Sequence, residues 1–203
     1  CFAAGTMILT DRGERAVEDL IPGDLIWTRD HGFQPLRWCG VRRLDSVELN
    51  NNPHFLPIRI EAGALGADLP AQTLTVSPQH RVLVRSTIAQ RMFGTSELLV
   101  AARQLTALPG ITVQSDLPEL TYVHLMFDRH EVILSNGAET ESLYPGPQAL
   151  KALGTAAVEE IFALFPELRD LGEEFPGARP FAAGHRVGRL AERHQANNRP
   201  LVS

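Results

Sequence analysis

Between Thr6 and about Leu143 the chain alternates short apolar runs with clusters of turn-forming residues. The runs are "TMILT", "DLIWT", "FQPLRW", "FLPIRI", "TLTV", "HRVLVR", "ELLVA", "ITV", "LTYVHLMF" and "EVILS". They are too short for stable helices and rich in β-branched and aliphatic residues, so they predict strands. The separators carry turn chemistry: "DRG" after the first run, "PGD" at Pro22 to Asp24, "DHG" after the second, and "SNG" at Ser135 to Gly137. Many short strands with tight turns imply an all-β domain. "GERAVEDL", between the first two runs, reads as a helical turn.

Beyond "YPGP" at Tyr144 to Pro147 the period changes. Leu150, Leu153, Ala157, Ile161 and Leu164 recur at threes and fours, which predicts an amphipathic helix or a pair broken near Gly154. The tail from Glu173 holds Pro176, Pro180 and Pro200 with Arg179, Arg186, Arg189, Arg193 and Arg199, and reads as irregular with a short helix near "GHRVGRLAERH". The expected organisation is therefore a β domain over 1–145, a helical appendage over 146–172 and an irregular basic tail over 173–203.

At 203 residues the chain suffices for one sizeable core. The formal charge of −5 and the lack of a clustered basic face argue against a nucleic-acid-binding body, the tail being the one local exception. No stretch reaches the roughly 20 apolar residues of a helical membrane span. Two cysteines, Cys1 and Cys39, are too few for a disulfide framework, and both read as thiols. The compartment stays open, since a chain that begins at a processed end has lost any leader.

Cys1 is the first candidate for chemistry. A thiolate attacks carbonyl carbon readily at neutral pH, and a modest environmental push generates it. At an amino end it serves either as a nucleophile on outside substrates or as the group that attacked the peptide bond once preceding it. In "VSPQHRVLV", Ser77 and His80 lie three apart across Pro78, at a strand-turn-strand junction where hydroxyl and imidazole can face one site. An imidazole beside a scissile amide can protonate the departing nitrogen. The third cluster is "YVHLMFDRHEVILSNG", with His124, His130 and Glu131. On a straight strand residues six apart share a face, which would bring His124 and His130 together, whereas a turn at "FDRH" would break that phase. Three histidines and Glu131 lack the tight spacing of zinc ligands, so neither a metal nor another cofactor is expected. His31 and His54 read as loop residues, and His185 and His194 belong to the tail.

These stretches, in order, resemble the Hint superfamily of hedgehog autoprocessing domains, inteins and bacterial intein-like domains. "CFAAGTMILTDRGERAVEDLIPGDLI" resembles the amino-terminal motif, and "TVSPQHRVLV" the T-x-x-H motif with Ser77 in place of threonine. "YVHLMFDRHEVILSNG" resembles the penultimate intein motif, with His124 where an aspartate usually stands and His130 at the motif's histidine. The resemblance implies a horseshoe-like all-β fold with the first residue at its middle. It also implies that Cys1 attacks the preceding carbonyl, that His80 protonates the leaving amine, that Ser77 positions the bond, and that His130 and His124 serve proton transfer and later steps. The substrate is then the chain's own upstream segment in cis, and Cys1 is a processing boundary.

The sequence departs from inteins where they end in His-Asn. Glu141, Ser142 and Leu143 occupy that place: Ser142 forms no succinimide, Leu143 accepts no acyl group, and the chain runs on for sixty residues. Cleavage without splicing is expected, with water or a small thiol resolving the thioester. The sterol-binding extension of hedgehog domains is not evident, and Asp45 lies roughly where those domains hold an acid that activates the acceptor. Two alternatives stay open: an amino-terminal-cysteine amidohydrolase, whose fold stacks two sheets between helical layers, and a retired Hint-like binding module.

Overall fold

The computed structural model describes residues 1–144, 176–182 and 184–203, with isolated positions 155, 159, 162, 163, 166 and 169. The apolar row expected to mark the helical appendage, Leu150, Leu153, Ala157, Ile161 and Leu164, lies outside the described residues.

Each of the ten apolar runs contains a strand. In chain order the strands are β1 (Phe2–Ala3), β2 (Met7–Thr10), β3 (Gly13–Ala16), β4 (Leu25–Thr28), β5 (Gly32–Pro35), β6 (Trp38–Asp45), β7 (Ile58–Ile60), β8 (Leu74–Val76), β9 (Arg81–Arg85), β10 (Glu97–Ala101), β11 (Ile111–Val113), β12 (Glu119–Met126), β13 (Val132–Ser135) and β14 (Ala138–Glu141). They form two antiparallel sheets. One runs β11-β7-β8-β1-β12-β6, and the other β10-β9-β14-β13-β2-β4-β5 with β3 beside β2. The fold is mostly β, as the pattern of short runs implies.

Local chemistry explains most of the turns. Asn136 and Gly137 both have positive φ and join β13 to β14 with Ser135 opposite Ala138, the two-residue turn that matches strand twist. The stretch "GERAVEDL", expected as a helical turn, instead forms β3 followed by a 3-10 turn at Val17–Asp19. The "DRG" turn folds Gly13 back opposite Thr10, so the polar residues after it pair with β2 at the sheet margin, and Val17 then drops into the core.

Short helices lie against the sheets. α1 (Ser46–Asn51) starts at Asp45, whose carboxylate accepts from the Glu48 amide while the Glu48 side chain accepts from the Asp45 amide. Asp45 therefore sits as an exposed helix cap. α2 (Thr87–Phe93) is capped by Ser86 and ends at Gly94 in the left-handed conformation.

α3 (Arg186–Ala196) belongs to the tail, and its buried side, Val187, Leu190 and Ala191, joins the main core with Leu201 and Val202. The described part of the tail is therefore docked. Residues 180–182 extend the edge of β10, with the Leu99 amide donating to the Pro180 carbonyl and the Ala182 amide to the Leu99 carbonyl. Arg179 fixes this segment by donating to both Asp30 oxygens at 2.8 Å and to Glu97 at 2.6 Å. Covering the edge removes unpaired backbone groups from water and blocks intermolecular pairing. It also accounts for the uninterrupted "RVLV": Val82 and Val84 face the main core, while Leu83 packs on the other face with Leu99, Val132 and the tail's Ala178 and Phe181.

Candidate functional site

β1 is only two residues long, yet it lies in the middle of its sheet, between β8 and β12. Phe2 stands opposite Val76 on one side and Val123 on the other. Opposed residues of an antiparallel pair share a face, and the next pair faces the other way. Phe2, Val76 and Val123 thus all enter the main core. Cys1 is accordingly placed alongside Ser77 and His124, on the opposite face, where it packs with Tyr122 and Leu143.

Atomic contacts follow this register. The Ser77 amide donates to the Cys1 carbonyl at 2.9 Å, and the Cys1 amino group lies 3.0 Å from Ser77 Oγ and 3.0 Å from His80 Nδ1. Cys1 Sγ is in hydrogen-bond contact with His124 Nε2. The turn Ser77-Pro78-Gln79-His80 closes through the His80 amide and the Ser77 carbonyl at 3.1 Å. A 3-10 turn at Ala102–Leu105 grips it from outside, Arg103 donating to the Pro78 carbonyl and Ala102 to that of His80. The ring of Phe2 lies 4.5 Å from that of His80 and fixes its plane. Cys1 is 3% exposed and His80 4%.

The structure therefore brings together Cys1, Ser77, His80 and His124 of the residues singled out from sequence. His130 is elsewhere. The backbone leaves β12 at Met126 and turns before β13, so His124 and His130 do not continue one straight strand. His130 Nε2 meets Glu141 at 2.9 Å, and its Nδ1 accepts from the Ala178 amide at 2.9 Å. Glu131 pairs with His31 at 2.9 Å, while His194 is buried against Ser86. Glu141, named from sequence only for what it replaces, lies between His130 and Arg81; nothing in its local sequence marks that role. Among the described residues no three His, Cys, Asp or Glu side chains converge as metal ligands. No disulfide joins Cys1 and Cys39. Among the described residues no helix is long and apolar enough to cross a membrane.

Burial, then the adjacent α-amino charge, then His124, Arg81 and His130 push the His80 imidazole well below its ordinary 6.5. Burial and the same amino charge push His124 down as well. Both rings are thus neutral at pH 7 and can receive protons. The unfolded chain carries two ordinary imidazoles here, so it takes up protons that the folded protein refuses as pH falls through 6.5. Folding stability is expected to fall with pH below that point, at about 1.4 kcal/mol per pH unit for each imidazole at its steepest. Urea denaturation series at about pH 7.5 and about pH 5.5 check this. A midpoint that holds or rises on acidification would contradict the buried placement of both rings.

Comparison with known proteins adds to the geometry. A family model described as Hint domain matches residues 1–147. Among solved structures the chain is similar to a glutathione-linked, splice-inactive variant of the AceL NrdHF class 3 split intein, at 13% identity over 70% of this chain and 95% of that one, with a TM-score of 0.48. It is also similar to a bacterial intein-like domain from Clostridium thermocellum, at 14% identity over 70% of this chain and 97% of that one, with a TM-score of 0.45. The search of curated proteins gives no match.

Proposed function

This chain belongs to the Hint domain family, and on that premise we propose that it is a self-cleaving domain that severs the peptide bond joining Cys1 to an upstream segment, without splicing. The observation that carries the reading is the grip on Cys1: its nitrogen against Ser77 Oγ and His80 Nδ1, its sulfur against His124 Nε2.

In a precursor the Cys1 nitrogen is the amide nitrogen of the scissile bond. His124 Nε2 takes the proton from the thiol, and Sγ attacks the carbonyl carbon of the preceding residue. As the C–N bond breaks, His80, in the minor form that has bound a solvent proton, gives that proton from Nδ1 to the nitrogen, leaving a thioester, an amine and the thiol proton on His124. Ser77 Oγ holds the nitrogen in line. The α-amino charge that depresses His80 is absent while the bond is intact, so His80 is more basic before cleavage than after it. The amine takes up the proton that His124 received from the thiol, and the resulting ammonium is held by Ser77 and His80, which opposes the return of the acyl group. A thioester is less stable than an amide, so this trapping and the following hydrolysis or thiolysis drive the reaction.

Splicing is disfavoured by the residues at the other end of the domain. Glu141 is locked in an ion pair, and Leu143 is buried in the apolar cluster of Cys1, with its amide on the Leu125 carbonyl. Neither offers an acyl acceptor or a cyclising amide. A hydrolase acting on outside substrates fits less well, because Cys1 lies buried beneath its neighbours and helices α1, α2 and α3 are short and peripheral.

The test is a reporter domain fused directly ahead of Cys1 and followed by intact-mass spectrometry. The expected result is release of the reporter with a product beginning at Cys1, faster with dithiothreitol. A fusion that stays whole with and without the thiol would overturn the reading in favour of a binding module.

A further inference from the structure

His130 is too firmly engaged to carry protons. The Ala178 amide donates to its Nδ1, so the hydrogen-bond network assigns the ring proton to Nε2, which donates to Glu141 Oε2. Tyr144 and Phe181 bracket the ring at 4.5 and 5.7 Å between centroids. Glu141 is 6% exposed, and its carboxylate binds Arg81 three ways: Oε1 accepts from the Arg81 amide at 2.9 Å, and both oxygens accept from Nη1 at 3.1 Å. The Arg81 guanidinium lies 4.2 Å from the centre of the Phe181 ring. Burial raises the Glu141 carboxyl, but Arg81 and His130 hold it below its ordinary value, so it is an anion at neutral pH.

Arg81 directly follows His80. A carboxylate that binds both the main chain and the side chain of Arg81 fixes the end of the turn that presents Ser77 and His80 to Cys1. We propose that His130 and Glu141 are positioning residues, which together with Arg81 and the tail segment 178–181 hold the His80 turn against the bond ahead of Cys1. The inference rests on the self-cleavage reading for its meaning in catalysis. It also makes part of the tail, which lies beyond the residues matched by the family, a component of the processing machinery.

The test compares His130→Gln with His130→Ala in the reporter fusion. The amide NH2 of glutamine reaches about as far as Nε2 and still donates to Glu141, but it cannot serve as a proton shuttle. His130→Ala is expected to slow cleavage about 100-fold, the cost of misplacing a reacting group by about 1 Å. His130→Gln is expected to stay within a few-fold of the original rate. Glutamine as slow as alanine would overturn the proposal and return His130 to proton transfer.

A second readout stands apart from cleavage. In the chain beginning at Cys1, the 15N imidazole resonances of His80 are expected to move on Glu141→Gln or Phe181→Ala, while those of exposed His54 stay put. Unchanged His80 resonances in both folded variants would overturn the positioning role even if cleavage were never seen. If the reporter fusion fails to cleave but these resonances move, the function reading has failed and the positioning network stands.

Discussion

Cys1→Ala in the reporter fusion abolishes release of the reporter. The thiol is the nucleophile, and the site offers no replacement: Ser77 Oγ faces the Cys1 nitrogen, and the remaining attack would have to come from water at a position where the residue itself is 3% exposed. Peptide bonds resist water over any practical incubation, so the loss reads as all or none. The variant removes one sulfur from the edge of an apolar cluster with Tyr122 and Leu143, a modest change in packing, and is expected to fold. Mass spectrometry after prolonged incubation with dithiothreitol supplies the check. Release at the original rate would remove Cys1 from the mechanism.

His80→Ala costs the second-largest amount, about 10² to 10⁴ in rate, the usual worth of a positioned general acid or base. Expulsion of an unprotonated amide nitrogen is the hard step of the acyl shift, and Nδ1 is the ring atom 3.0 Å from that nitrogen. Alanine also leaves a void beside Phe2, so His80→Gln should be measured alongside it, with circular dichroism to establish that both fold. A rate within tenfold of the original in a folded variant would shift the acid role to another group, and Ser77 would be the next to test. Loss of Glu141 or His130 leaves Nδ1 present but misplaced, so those variants should lie between the original and His80→Ala.

The strand pattern was legible where side chains repeat the physics of the fold. "TMILT", "DLIWT" and "TYVHLM" became strands because apolar β-branched residues fit a half-buried pleat. β14 carries no strand signal because "AETE" is polar, although Thr140 and Glu141 are buried; its polarity is satisfied by Ser135, Arg81 and His130, outside the local pattern. β3 reads as a helical turn because its polar residues sit at a margin where burial imposes no alternation. The docking of the tail is illegible for a related reason. The tail reads as irregular, but Arg179 meets Asp30 and Glu97, which are far away along the chain, and the apolar positions between the other arginines form one face of α3.

Local sequence specifies the kind of element along most of the β domain and the reagents available to it: a thiol at position 1, a hydroxyl and an imidazole three apart, and further histidines before the last hairpin. These properties are local, carried by periodicity, turn residues and the chemistry of single side chains. Which reagents meet follows from the packing of distant segments. Phe2 pairs at once with Val76 and Val123, and that double register sets Cys1 beside Ser77 and His124 while leaving His130 to the Arg81–Glu141 pair. Register and partner choice depend on how two sheets and a docked tail bury their surfaces together, an energy summed over residues far apart in the chain, and no local pattern contains that sum.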